Sequence, residues 1–85
     1  MKNHLIKRSF RLAGHATSIA LEAAFWTVLE SAAAQRGQSL ASLVAEVDTA
    51  RAAQGLPLAS ALRLAALTHA RTGPAAAIRQ DQSQD

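Results

Sequence analysis

The sequence predicts a mainly α protein with a short β ribbon at its N-terminal end, in the order extended, extended, helix, helix, helix. Three observations lead there. Residues 8–22 alternate polar with apolar around a glycine, three later segments carry apolar residues at helical spacing, and Gly37, Gly55 and Thr72-Gly73-Pro74 punctuate those segments.

In the extended region Ser9 and Arg11 alternate with Phe10 and Leu12, and Thr17, Ile19 and Leu21 alternate with Ala16, Ser18 and Ala20. Ala13-Gly14-His15 lies between the two runs, and glycine tolerates the positive φ that a tight reversal needs. A hairpin and two separate strands both fit, as does a flexible arm over residues 8–12. An isolated hairpin is marginal in water, so these strands call for a second surface or a second chain.

The first helix is expected from Glu22–Ala24 to about Gln35, with an acidic residue at its positive end. Phe25, Leu29 and Ala32/Ala33 form its apolar stripe, widened by Val28, with Trp26 off its centre. Gly37 suits a C-terminal cap. Ser39 is placed to cap a second helix, Leu40 to about Arg51, whose apolar face is Leu40, Leu43, Val44 and Val47. After Gln54-Gly55-Leu56-Pro57 a third helix is expected from Leu58 or Ala59 to Arg71. Its apolar surface (Leu58, Ala61, Leu62, Ala65, Leu67, with Leu64, Ala66 and Ala70) runs most of the way round, which suits a core or an oligomer interface. The division is therefore a basic arm over 1–7, one domain over 8–72 and a polar, disordered tail over 73–85.

Size and charge narrow the function. Eighty-five residues, 4% aromatic and rich in alanine, bury little apolar area per residue, so a homodimer is expected. The net charge is +3, but Lys2, Lys7, Arg8 and Arg11 all precede the first acid, Glu22. Basic charge gathered at one end suits a polyanion, although a solvated terminus fits the charge equally well.

Several classes are disfavoured. There is no cysteine, and His4, His15 and His69 lie far apart, so no metal, catalytic or cofactor site is expected. Glu46 and Asp48, two apart on a helix, point to different faces, and no serine sits in Gly-x-Ser-x-Gly. An enzyme is not expected. No apolar run is long enough to span a bilayer or to serve as a secretory signal, and the basic cluster falls on strands rather than an amphipathic helix. The expectation is a cytoplasmic protein without membrane binding.

The run Lys7-Arg8-Ser9-Phe10-Arg11-Leu12-Ala13-Gly14-His15-Ala16-Thr17-Ser18-Ile19-Ala20-Leu21-Glu22, followed by Phe25-Trp26, Arg36-Gly37, Ser39-Leu40-Ala41-Ser42-Leu43 and Leu58-Ala59-Ser60-Ala61-Leu62-Arg63, resembles bacterial ribbon-helix-helix domain proteins of the MetJ/Arc-like superfamily. Gly-His-x-Thr-Ser with Leu-Glu and Phe-Trp is its most specific portion. The resemblance covers about residues 7–71. It implies an intertwined homodimer, here with a third C-terminal helix. One strand of each chain pairs antiparallel with its partner and enters the major groove of double-stranded DNA. The start of the second helix then meets a phosphate.

On that resemblance residues 16–21 are the ribbon, and Ala16, Ser18 and Ala20 face the groove. Arg and Ser often stand in the family where Ala16 and Ala20 stand here. That departure shifts the expected contacts towards Arg11 and Arg8, with Lys7 beside them. Ser39 and Leu40 become the phosphate anchor, and His15 a further contact at the turn. The expected activity is sequence-dependent DNA binding by a transcriptional regulator. The rival is a dimeric interaction module that has lost base readout, or an antitoxin-like binder, using Trp26 or the helix of residues 58–70 to hold a third protein. A lone Trp beside a Phe is more often core or dimer interface.

Overall fold

The structure is a computed structural model and describes residues 4–72. Two strands, β1 (Leu5–Leu12) and β2 (His15–Glu22), are followed by three helices, α1 (Ala23–Gln35), α2 (Leu40–Gln54) and α3 (Leu58–Thr72). The arrangement is the ribbon followed by helices that the sequence predicts. The tail of residues 73–85 lies outside the described residues.

β1 and β2 pair antiparallel as a hairpin, in a register running from Leu5 opposite Glu22 to Leu12 opposite His15. The open choice between strand and arm is thus settled as a paired strand. Pairing starts three residues earlier than the alternation suggested, so residues 5–7 of the expected arm belong to the ribbon. The two-residue turn has positive φ at both positions, 51° at Ala13 and 82° at Gly14. Turns of that kind match the right-handed twist of their strands, but a left-handed alanine is strained.

Alternation gives the hairpin two faces. Leu12, Ile19 and Leu21 are buried against the helices, with Phe10 packed beside them. Leu5, Lys7, Ser9, Arg11, Ala16 and Ser18 are exposed on the other face.

α1 turns its stripe further round than its sequence suggested. Trp26, Leu29, Ala32 and Ala33 are buried, whereas Phe25 and Val28 are only partly so. The cause is β1, which lies over Trp26 and gives its indole a partner in the Ile6 carbonyl. α1 closes where Gly37, at φ 68°, lets the Gln38 amide reach back to the Ala33 carbonyl at 3.0 Å. α2 continues three residues past Arg51, because Ala52 and Ala53 are good helix formers and the stop is Gly55, left-handed at φ 72°. In α3 Ala61, Leu62 and Ala66 are buried, but Leu64 and Leu67 are about half exposed.

The four largest fully buried side chains are Leu21, Val44, Leu29 and Leu62, one each from β2, α2, α1 and α3. The third helix is thus part of the core rather than an appendage. That core holds the ribbon's inner face down and leaves its outer face to solvent.

Candidate nucleic-acid interface

The outer face of the hairpin is built from cross-strand pairs. Lys7 lies opposite Ala20, Ser9 opposite Ser18 and Arg11 opposite Ala16. Ser9 and Ser18 join their hydroxyls at 3.0 Å, and Arg11 Nη1 lies 3.5 Å from the Gly14 carbonyl, too long to hold the guanidinium firmly. Each cation therefore stands beside an alanine and has room to extend. Two cations flank a pair of hydroxyls, and Glu22 is the acid at the far end of the same face.

Glu22 does not cancel this charge freely, because Arg63 of α3 donates to it at 3.0–3.1 Å. Its carboxyl is held below its ordinary value, first by its own backbone and then, against some desolvation, by Arg63. The carboxylate turns to Arg63, and it makes no side-chain cap to α1.

Of the residues that the sequence put forward, the structure brings Lys7, Arg11, Ala16, Ser18 and Ala20 onto one face and adds Ser9. Arg8 is not among them. It shares the inner face with Phe10 and Leu12, where Nη1 donates to Glu30 Oε2 at 2.7 Å and Cζ stands 5.2 Å from the Trp26 ring centroid. His15 is exposed at the turn but belongs by alternation with Thr17, away from the outer row. Ser9 and Arg8 were both decided by the period of two: Ser9 shares parity with Arg11, Arg8 with Phe10.

Ser39 caps α2, its hydroxyl accepting from the Ser42 amide at 3.0 Å, while the Leu43 amide donates to the Ser39 carbonyl. By helix geometry the amides of Leu40 and Ala41 have no intrahelical partner and point out of the positive end. Beside this end, Gln38 Nε2 donates to Ser42 Oγ and Glu46 Oε2 at 2.9 and 3.0 Å, and Arg36 pairs with Glu46 at 3.2 Å.

Trp26 is 3% exposed. The indole is covered by β1, in line with the reading of a lone Trp beside a Phe as core. The rival reading, that it anchors a third protein, is corrected because it offers no surface, and a third-protein partner finds no support. No helix among the described residues is long and apolar enough to cross a membrane. Among the described residues no three His, Cys, Asp or Glu side chains come together as a metal site would need.

A family model described as a ribbon-helix-helix domain matches residues 5–70, and the chain belongs to that family. Its members are generally DNA-binding transcription regulators rather than enzymes, and they typically bind DNA as dimers. No curated protein and no solved structure matches the chain.

Proposed function

We propose that this chain is a homodimeric, cytoplasmic bacterial transcription regulator that binds double-stranded DNA through the outer face of its hairpin. The observation that carries the reading is the exposed row of Lys7, Ser9 and Arg11 beside Ala16, Ser18 and Ala20, on a chain of a DNA-binding family.

In this reading β2 of one protomer pairs with β2 of its partner, and the ribbon so formed faces the major groove, which admits β structure and displays a distinct pattern for each base pair. Lys7 and Arg11 neutralise phosphate or reach guanine. The hydroxyls of Ser18 and Ser9 donate or accept at base edges, and Ala16 and Ala20 let the sheet approach closely and touch thymine methyls. The free amides at Leu40 and Ala41, with Ser39 beside them, take a backbone phosphate, and His15 lies at the tip of the turn. With two alanines among the groove-facing residues, most of the affinity comes from charge and a smaller part from sequence.

Selection from a random duplex pool tests the sequence-dependent part. The expected outcome is enrichment of a two-fold symmetric site whose half-sites reflect the two protomers. A pool unchanged after selection, with binding intact, contradicts sequence dependence; a pool that is never retained contradicts DNA binding itself and favours an interaction module.

A further inference from the structure

Three alternate positions of β1 meet a single side chain of α1. The Ile6 carbonyl accepts from Trp26 Nε1 at 2.7 Å, the Arg8 guanidinium stands over the Trp26 ring, and the Phe10 ring lies 5.8 Å from it, tilted by 33°. Glu30, four residues after Trp26 and so on the same side of the helix, takes the other end of Arg8. The guanidinium is thereby held between an aromatic face and a carboxylate, both supplied by α1.

The ion pair alone contributes little, since its side chains are 38% and 52% exposed. It acts, however, on the same strand as the stacking and the indole hydrogen bond. Side chains alternate along a strand, so fixing positions 6, 8 and 10 against α1 also fixes where 7, 9 and 11 point.

We infer that Arg8 is a positioning residue for DNA binding: clamped by Trp26 and Glu30, it holds β1 so that Lys7, Ser9 and Arg11 face the duplex, and it touches no phosphate itself. This rests on the DNA-binding reading above. Glu30 separates the two roles. If only charge matters, removing this acid strengthens binding to a polyanion; if the clamp matters, removing it weakens binding.

The test is fluorescence anisotropy with a mixed-sequence duplex over a salt series, using wild type, Arg8→Ala, Arg8→Lys, Glu30→Gln and Arg11→Ala. All are measured below their melting temperatures, and amide exchange is followed in β1. Arg8→Ala is expected to weaken binding about three- to tenfold with the wild-type salt slope, whereas Arg11→Ala, which removes one contact from each protomer, lowers the slope by about 2. Glu30→Gln is expected to weaken binding in the same direction. Arg8→Lys, which keeps the charge for Glu30 but loses the planar stack on Trp26, falls between wild type and Arg8→Ala. Amides of β1 should exchange faster in Arg8→Ala than in wild type. A slope lowered in Arg8→Ala overturns the inference and makes Arg8 a phosphate contact, and tighter binding by Glu30→Gln overturns it by showing that charge alone, not the clamp, sets the affinity. Wild-type affinity in Arg8→Ala overturns it in favour of a purely structural role. A wild-type chain that does not bind removes the DNA-binding reading, and this inference with it, on the evidence of that arm alone.

Discussion

Arg63 of α3 reaches Glu22, the residue where β2 passes into α1, with Nη2 3.0 Å from Oε1 and the Phe25 ring beneath its guanidinium at 5.7 Å. Forty-one residues separate the two in sequence, so this contact ties α3 to the end of the ribbon. It makes the third helix a support for the candidate interface.

The first prediction concerns acid. The folded-state pKa of Glu22 is lowered, so its contribution to stability is fully present above the unfolded value and lost as pH falls through the folded one. Arg63→Ala should raise the Glu22 pKa back towards the ordinary range, read by NMR titration of that carboxyl. The stability gap between wild type and variant should narrow as the pH is taken down through the acid range. An unmoved pKa in the variant would remove Arg63 as a cause.

Trp26 carries the second. Trp26→Phe keeps an aromatic ring against Phe10 but removes the donor to the part-exposed Ile6 carbonyl, a loss of about 0.5–1.5 kcal/mol. Trp26→Ala, which empties a buried site, should cost about 3–5 kcal/mol. Urea unfolding measures both. Equal losses for the two variants would show that the hydrogen bond, rather than the ring, dominates.

At the turn, Ala13 holds φ 51° in a place where asparagine is preferred. Ala13→Asn should stabilise the protein by about 0.5–1 kcal/mol, relieving strain without altering the register. Thermal unfolding checks this, and a lower melting temperature would contradict it.

Ser39→Ala removes the hydroxyl that accepts from the Ser42 amide and should cost about 1 kcal/mol. Ser39→Gly should cost less, since glycine is tolerated at a cap. If Ser39 also helps to hold a phosphate, the alanine variant weakens DNA binding beyond what its stability explains.

Much of this was legible in the sequence, for local reasons. The alternation on either side of Gly14 marked extended structure but left hairpin, separate strands and arm open, because pairing is not a local property, whereas Gly37-Gln38-Ser39 marked the break between two helices because a stop and a cap are both local. What escaped was decided across the fold. Phe25 and Trp26 fit a helical stripe equally well, and β1, lying above, chose Trp26. Arg8 read as one cation in a basic cluster, yet its parity with Phe10 and Leu12 already pointed it inward. Glu30 gave no local signal beyond standing four residues from Trp26. α2 runs past its expected end near Arg51 because Ala52, Ala53 and Gln54 continue the helix up to Gly55, whose left-handed φ stops it.

The central claim is that the outer face of the hairpin binds DNA through Lys7 and Arg11. The most direct measurement is the salt dependence of anisotropy between about 50 and 200 mM salt on a mixed-sequence duplex, for wild type and a Lys7→Ala/Arg11→Ala double variant. The account predicts wild-type binding that weakens steeply with salt, and a slope smaller by about 4 in the variant, two contacts being lost from each protomer. Binding with the same slope in both would place the interface elsewhere on the chain, and no wild-type binding at the lowest salt would contradict the claim outright.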